Sequence, residues 1–221
     1  MSGTIDPDSP ERGSRPSKHA LASERTRAAL LCAARELFTQ RGFINTTTED
    51  LVVAAGVTRG ALYYQFSDKI DLFRAVCDEL IDEVLAAAND RLRGEDADPW
   101  TRLGLVARVY LESTCRPDIQ RVLVLDARAV LPPDRPSGVR SDPLFQLAER
   151  LACEAAEELV SDRFAQMLAS SLAGAADALA AAVCNAEDPD GARETAFEVM
   201  DHLIGGVRHR FEPAPDNPPR S

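Results

Sequence analysis

Cysteine is sparse and scattered in this chain, and its distribution excludes two common ways of stabilising a small protein. The five cysteines are odd in number, lie far apart, and include no CxxC pair. This arrangement excludes a disulfide framework and the usual spacings of zinc ligands, and it favours a reducing compartment. Because no charged-then-apolar signal segment opens the chain, we expect a cytoplasmic protein. The five positions are Cys32, Cys77, Cys115, Cys153 and Cys184.

The residues that typically carry catalysis are also few. The chain has three histidines, one of them, His19, close to its start. Glu198, His202 and His209 share a helix face at i, i+4 and i+11, and the second gap is too long for joint metal ligation. The sequence contains neither a glycine-rich phosphate loop nor a nucleophile elbow. We therefore expect no enzymatic activity, no cofactor and no metal.

Alanine and leucine dominate a hydrophobic content of 45%, whereas aromatic residues make up only 5% of the chain. Both residues lose little side-chain entropy in a helix, and no segment alternates like a strand. The composition therefore predicts an all-α fold. The net charge is −11, but the segment from Lys18 to Arg74 holds eight basic and six acidic residues. A slightly basic N-terminal segment followed by an acidic remainder suits a protein that binds phosphate groups through its N-terminal part only.

Proline, glycine and helix-capping residues predict where the segments of the chain begin and end. Residues 1–20 and 212–221 are rich in proline and polar residues and are predicted to be disordered tails. Residues 21–67 are predicted to form a three-helix domain, and residues 68–211 a helical bundle. The predicted helices run from Ser23 to Gly42, from a cap at Thr46 or Thr47 to Gly56, from Thr58 to about Phe66, from Ser67 or Asp68 to Gly94, and then over 98–114, 119–130, 144–159, 162–184 and 189–208, with a flexible loop at 131–138.

One apolar stretch, from Phe164 to Cys184, is long enough to span a bilayer. It contains Asp177, and a carboxylate near the middle of a membrane costs about 2.5–3.5 kcal/mol. The rest of its apolar content is mostly alanine. A buried helix within a bundle is therefore the favoured interpretation.

Two short helices joined by the segment 55–58 have the spacing of a helix-turn-helix. Gly56 allows the chain to reverse direction without a Cβ clash. In the second helix, Leu62 and Phe66 share the face that is predicted to meet the core. Tyr63 and Tyr64 cannot both point inward on one turn, so at least one is displayed beside the basic Arg59.

At these residues the sequence resembles the DNA-binding domain of TetR-family regulators. The resemblance rests on the order and spacing of several short runs over residues 23–76. It implies an all-α homodimer with a C-terminal ligand-sensing domain, which most often represses transcription and releases DNA when an effector binds. Gln65 stands where histidine is common in the family. The runs are 33–38, 42–43, 46–47, 55–66 and the Asp68-Lys69-x-x-Leu72 pattern, and the residues aligned with the family's DNA contacts are Thr47, Thr58, Arg59, Gly60, Tyr63, Tyr64 and Lys69.

The resemblance also implies partners. Small residues cover most of helix 162–184, and by resemblance this helix and helix 189–208 pair with their symmetry mates in a homodimer. Such a dimer would present two recognition helices to a palindromic, double-stranded DNA operator. A small and mainly apolar effector is expected among the middle helices. Candidate pocket residues are Trp100, Tyr110, Leu111, Leu123, Asp126, Phe145, Phe164, Met167 and Ser171.

Two other modes of control are compatible with the sequence. Cys115 precedes Arg116, which could lower the pKa of the thiol and create a redox-sensing regulator. A small buried hydrophobic cysteine is the ordinary alternative at such a position. The protein could also keep the fold and be controlled by a partner protein rather than by a small molecule.

Overall fold

The computed structural model describes residues 18–131, 143–155 and 162–211, and every regular element within these ranges is helical. This confirms the predicted all-α class. A π-helix, Ile119–Asp126, runs directly into the α-helical turn Ala127–Val130, and together these form α6. The other helices are α1 (Lys18–Arg41), α2 (Thr48–Ala55), α3 (Arg59–Gln65), α4 (Lys69–Leu92), α5 (Pro99–Ser113), α7 (Pro143–Ala155), α8 (Asp162–Cys184) and α9 (Pro189–Phe211).

The end of α1 and the start of α2 are built from local hydrogen bonds. Gly42 follows α1 with a φ of 76°, a left-handed conformation that favours glycine. Thr47 caps α2: its hydroxyl accepts from the Asp50 N–H, and the Asp50 carboxylate accepts from the Thr47 N–H at 2.9 Å. Thr46, the other candidate cap, is instead buried, and its hydroxyl donates to the Gly42 carbonyl at 2.8 Å. The capping box therefore belongs to Thr47.

The turn between α2 and α3 follows the predicted pattern. Gly56 ends α2 with a φ of 65°, and the Val57 N–H reaches back to the Val52 carbonyl at 3.1 Å. Thr58 then begins α3, its hydroxyl accepting from the Ala61 N–H. Helix termini leave such backbone groups without intrahelical partners, so these bonds fix where each helix stops.

α1 and α6 differ most from the sequence-based expectations. α1 begins at Lys18 rather than Ser23, within a segment whose polar composition had favoured disorder. The next difference concerns residues 119–130, which were expected to form one regular helix but start as a π-helix. Asp68, rather than Ser67, caps α4 by accepting from the Asp71 N–H. The predicted tail residues 1–17 and 212–221, the loop 132–138 and the helix end 156–159 lie outside the described residues.

A single hydrophobic core runs from the three N-terminal helices into the remaining bundle. α4 makes this connection through Phe73, whose ring packs edge-on against Phe38 of α1 at 5.1 Å between centroids. The ring of Phe43 lies 4.9 Å from the same Phe73 ring. Aromatic pairs in this geometry add packing energy beyond their buried area. α1 and α4 are therefore held together close to the helix-turn-helix.

α8 buries one stripe of its surface and exposes another within the single chain. The buried stripe consists of Ala165, Ala169, Leu172, Ala176, Ala180 and Val183. The opposite stripe is exposed and consists of Phe164, Met167, Ser171, Gly174, Ala178 and Ala182. Both stripes advance by three or four residues, as one face of an α-helix must.

Within the described ranges, one segment, Arg163–Cys184, is long and apolar enough to cross a membrane. It is the same segment that the sequence singled out. In the single chain, 28% of the most apolar 18-residue stretch of this segment is buried, which is less than expected for a core helix. Its buried stripe nevertheless packs against α7 and α9.

Candidate nucleic-acid interface

The second helix of the helix-turn-helix displays most of its side chains. Tyr63 is 46% exposed and Tyr64 is 81% exposed, which agrees with the expectation that at least one of the two is displayed. Arg59 and Gly60, in the first turn of α3, are exposed as well, and the Arg59 guanidinium lies 5.8 Å from the centre of the Tyr63 ring. A short helix with exposed aromatic and basic side chains has the composition of a DNA-reading element.

The opposite face of α3 is fixed to the core. Leu62 is fully buried and Phe66 is 2% exposed, as the sequence predicted. The Arg27 guanidinium of α1 lies 4.5 Å above the Phe66 ring, a cation–π contact. The Gln65 amide donates to the Ser23 hydroxyl at 2.7 Å and to the Ser23 carbonyl at 3.1 Å. Gln65 thus anchors the end of α3 to α1, a role that no sequence pattern indicated because the two residues are 42 positions apart.

Thr47 and Thr58 are exposed, but both hydroxyls already take part in helix caps. Each cap positions the first turn of a helix, and first-turn N–H groups favour anions such as phosphate. At Gly60, an added Cβ would meet only the Thr58 hydroxyl, at 3.9 Å. The fold therefore has room for a side chain at Gly60 on this face.

Lys69 lies in the first turn of α4 and is half-buried. Its ammonium donates to the carbonyls of Phe43 and Thr46, at 2.9 and 2.8 Å, and lies 4.0 Å from the centre of the Phe43 ring. Burial lowers the pKa of Lys69. These contacts hold the turn that precedes α2 against α4. An ammonium has three N–H donors, so two carbonyl bonds still leave capacity for a phosphate.

Four charged side chains connect α1 to the rest of the protein. Arg35 of α1 pairs with Glu83 of α4 and with Asp118, which precedes α6, both at 2.6 Å. Arg116 pairs with the same two carboxylates, at 2.6 and 2.9 Å. We call these four residues the charge cluster. Arg35 is therefore not available to DNA, although it contributed to the basic count of the N-terminal segment.

The pKa values of the charge cluster reflect this mutual pairing. Burial would raise the pKa of Asp118, but hydrogen bonds from Arg116 and Arg35 outweigh it and lower the pKa from 3.8 to about 2. A hydrogen bond from Arg35 lowers the pKa of Glu83. Both carboxylates are consequently ionised at neutral pH.

A second connection joins α6 to the end of α1. The Phe43 N–H donates to the Asp126 carboxylate at 2.7 Å, and Arg121 holds the same carboxylate at 3.4 Å. A Cβ at Gly42 would collide with the Arg121 guanidinium. Asp126 was proposed from the sequence as a pocket residue, and the structure places it against the helix-turn-helix instead. No sequence pattern indicated this contact, because 83 residues separate Phe43 from Asp126.

The C-terminal helices enclose a partly open cavity of about 50 Å³. Of the nine candidate pocket residues, Tyr110 and Phe145 line it. Among the residues that the structure describes, those lining it are Leu103, Val106, Ala107, Tyr110, Leu144, Phe145, Ala148, Leu172, Ala173, Ala176 and Ile204.

The other seven candidates do not line this cavity. Trp100 and Leu111 are buried elsewhere, and Leu123 is half-buried against the core. Phe164, Met167 and Ser171 lie on the exposed stripe of α8, opposite the stripe that is buried in the single chain. Of the nine candidates, the structure therefore brings two together at this cavity, and the role of the others in effector binding stays a prediction.

The surroundings of Cys115 bear on both interpretations of this residue. Cys115 is exposed, which differs from the alternative of a small buried hydrophobic cysteine. The neighbouring Arg116 directs its guanidinium to the charge cluster, whereas the distant Arg193 donates to the Cys115 sulfur. Among the described residues, no group of three or more His, Cys, Asp or Glu side chains could hold a metal ion.

Comparisons with known proteins agree with the geometry of the interface. Residues 30–76 match the family model described as bacterial regulatory proteins, tetR family, and residues 100–207 match that of the tetracyclin repressor-like C-terminal domain. A TetR-family transcriptional regulator from Pectobacterium atrosepticum, whose crystal structure is known, is 30% identical in sequence to this chain. It superposes with a TM-score of 0.69, covering 87% of this chain and 97% of that one. The chain belongs to the TetR family.

Curated members of the TetR family align over shorter stretches. The regulator TtgR of Pseudomonas putida is 36% identical over 108 residues, 48% of this chain and 46% of TtgR. The repressor BepR of Brucella suis is 45% identical over 51 residues, 23% of this chain and 24% of BepR. The chain thus spans about half or less of the length of these relatives. Together with the solved structure, they confirm the predicted family and DNA-binding regulation of transcription.

Proposed function

We propose that this TetR-family protein is a cytoplasmic repressor that leaves a palindromic operator when a small, mainly apolar effector binds. The observation that carries the proposal is α3, whose Tyr63 and Tyr64 are exposed while Leu62 and Phe66 fix its other face to the core. Large aromatic side chains are rarely displayed together on a surface without a partner. Arg59 beside them supplies a donor for guanine or phosphate.

The DNA contacts divide by chemistry. The tyrosines and Arg59 reach into or along the major groove, and Gly60 lets the α3 backbone approach the bases closely. The threonines contact the phosphate backbone around the helix N-termini, and the Lys69 ammonium adds one cation. The proposed contact residues are Thr47, Thr58, Arg59, Gly60, Tyr63, Tyr64 and Lys69.

The proposed homodimer uses α8 and α9, within residues 162–184 and 189–208. Besides the exposed stripe of α8, Val199 and Leu203 of α9 are 40% and 42% exposed. Gly174 on α8 and Gly206 on α9 have no atom within 4 Å of an added Cβ, so another helix has room to approach closely. Covering these stripes with their symmetry mates would bury the apolar surface that the single chain leaves open. A dimer also provides the two reading helices that a palindrome requires.

The operator is tested by selecting DNA from the genome with the purified chain and comparing it with Tyr63→Ala. We expect the wild type to enrich one palindromic sequence whose half-sites are about one DNA turn apart. Tyr63→Ala should lose this enrichment while it keeps the thermal stability and dimer of the wild type. Enrichment of no sequence by the wild type would contradict the proposal. A Tyr63→Ala protein that unfolds or becomes monomeric would show that Tyr63 supports the fold.

The dimer interface is tested with two matched substitutions. Leu203→Glu places a charge on the exposed stripe of α9, whereas Leu125→Glu places one on α6, where the leucine is similarly exposed at 38%. An unpaired charge buried in an apolar interface costs several kcal/mol. We expect sedimentation equilibrium to show a monomer for Leu203→Glu and a dimer for Leu125→Glu. The opposite result would move the interface away from α9.

A further inference from the structure

Several basic side chains of the N-terminal helices already have carboxylate partners. Arg35 belongs to the charge cluster, and Arg41 pairs with Asp50 at 3.4 Å. Arg27 of α1 differs from these two arginines. It is exposed, and within the described ranges its side chain forms no hydrogen bond and no ion pair. A guanidinium has five N–H donors and is always protonated, so Arg27 keeps its full capacity for an anion.

Two contacts fix the Arg27 face of α1 beside the end of α3. The Arg27 guanidinium lies 4.5 Å from the centre of the Phe66 ring. One turn earlier in α1, the Ser23 hydroxyl accepts from the Gln65 amide at 2.7 Å. Residues four positions apart share one face of a helix, and Gln65 and Phe66 are consecutive at the end of α3. The guanidinium is therefore already oriented, which lowers the entropy that it loses on binding an anion.

The width of a reading helix brings its flanks close to phosphate. An α-helix with its side chains is about 10–12 Å across, and the major groove is about 12 Å wide. A helix that fills the groove carries groups on its flank to the phosphate strand. Phe66 follows Tyr63 by less than one helical turn, so the Arg27 guanidinium lies beside the exposed part of α3. Lys69 is anchored elsewhere, at the turn that precedes α2.

We propose that Arg27 binds a phosphate of the operator backbone beside the end of α3, and that Phe66 and Gln65 position α1 for this contact. The planar guanidinium can donate two parallel N–H bonds to one phosphate. Phosphate contacts orient a protein on the duplex and carry no sequence information. Arg27 therefore adds affinity and fixes the placement of α3 without changing which bases are preferred. The inference rests on the proposed function, because it adds a contact to the same DNA interface.

The test compares the salt dependence of DNA binding by the full-length wild type, Arg27→Gln and Arg91→Gln. Both substitutions remove one positive charge from an exposed side chain. Arg91 is the matched control because it lies in the last turn of α4, about 33 Å along that helix from Lys69. Fluorescence anisotropy titrations at several salt concentrations use two duplexes, the operator enriched by the wild type and a random-sequence DNA of the same length.

The expected result is a smaller salt dependence for Arg27→Gln alone. Each phosphate contact contributes about 0.9 to the slope of log K against log salt concentration, so the slope should fall by about 0.9 for each bound protomer on both duplexes. Operator affinity should fall about tenfold or more, because a hydrogen bond to a charged group is lost. The base preference of the wild type should persist. Arg91→Gln should keep the wild-type slope.

A second substitution separates the charge of Arg27 from its packing on the ring. Arg27→Met keeps a long side chain whose sulfur can pack on Phe66, and it should show the same lowered slope if Arg27→Gln folds poorly. Thermal unfolding measures the stability of each variant. A wild-type slope in the folded variants of Arg27, an equal fall in Arg91→Gln, or an altered base preference would overturn the inference.

The two duplexes also distinguish this inference from the proposed function. If the wild type enriches no operator, the proposed function fails, and the slopes on random-sequence DNA still decide whether Arg27 binds phosphate. If the wild type enriches a palindrome and Arg27→Gln keeps its slope, the operator proposal stands and the Arg27 contact is wrong.

Discussion

Replacing Asp118 by asparagine tests whether the charge cluster stabilises the contact between the DNA-binding helices and the rest of the protein. Asparagine keeps the shape of the side chain and removes the charge that Arg35 and Arg116 share. The lowering of the Asp118 pKa from 3.8 to about 2 corresponds to about 2 kcal/mol of native-state stabilisation at neutral pH. The Arg35 and Arg116 side chains are 29% and 41% exposed, so solvent screening reduces this contribution. We expect a loss of about 1–2 kcal/mol.

The assay is urea unfolding at one fixed protein concentration, because dimerisation makes apparent stability concentration-dependent. Asp90→Asn is the control: Asp90 pairs with Arg93 at 2.9 Å, but its side chain is 66% exposed. Its loss should stay within about 0.5 kcal/mol. The reasoning is refuted if Asp118→Asn costs no more than this control.

The sign of the pH dependence follows from the lowered pKa. A carboxylate with a depressed native pKa contributes its full stabilisation above the unfolded value of 3.8 and loses it as the pH falls towards 2. The difference between wild type and Asp118→Asn should therefore stay constant from pH 7 to about pH 5, and shrink only below about pH 4. A difference that already shrinks between pH 7 and pH 5 would assign the stabilisation to another group.

Two further substitutions separate fold from DNA binding. Gly60→Ala should stabilise the protein by about 0.5–1 kcal/mol, because alanine favours the helix. It should also weaken operator binding about tenfold, because it places a methyl group on the face of α3 that reads DNA. Thermal unfolding measures the first effect and a binding titration the second, and an unchanged operator affinity would remove Gly60 from the interface. Lys69→Ala should destabilise the fold, because two carbonyls lose their donor, and should lower the salt dependence of DNA binding by about one phosphate contact. A salt slope equal to that of the wild type would leave Lys69 with a positioning role alone.

The sequence by itself determined the features that depend on near neighbours along the chain. Helix caps, the glycine turn and the apolar face of α3 are set by residues three or four positions apart, and Leu62, Phe66, Gly56 and Thr58 behave as those short spacings predict. The choice between Thr46 and Thr47 stayed open, because both precede an acidic residue at the spacing of a capping box. The tertiary structure decides between them: Thr46 is buried, and Thr47 caps α2.

Only the tertiary structure decided which distant residues meet. The pairs Arg35–Asp118, Phe43–Asp126 and Gln65–Ser23 are separated by 83, 83 and 42 positions, and no period of a helix connects such separations. The pocket candidates show the same limit. Aromatic and aliphatic residues at helical spacing are equally suited to a core, a cavity wall or a dimer face, and the rotation of each helix against its neighbours determines which of these they become.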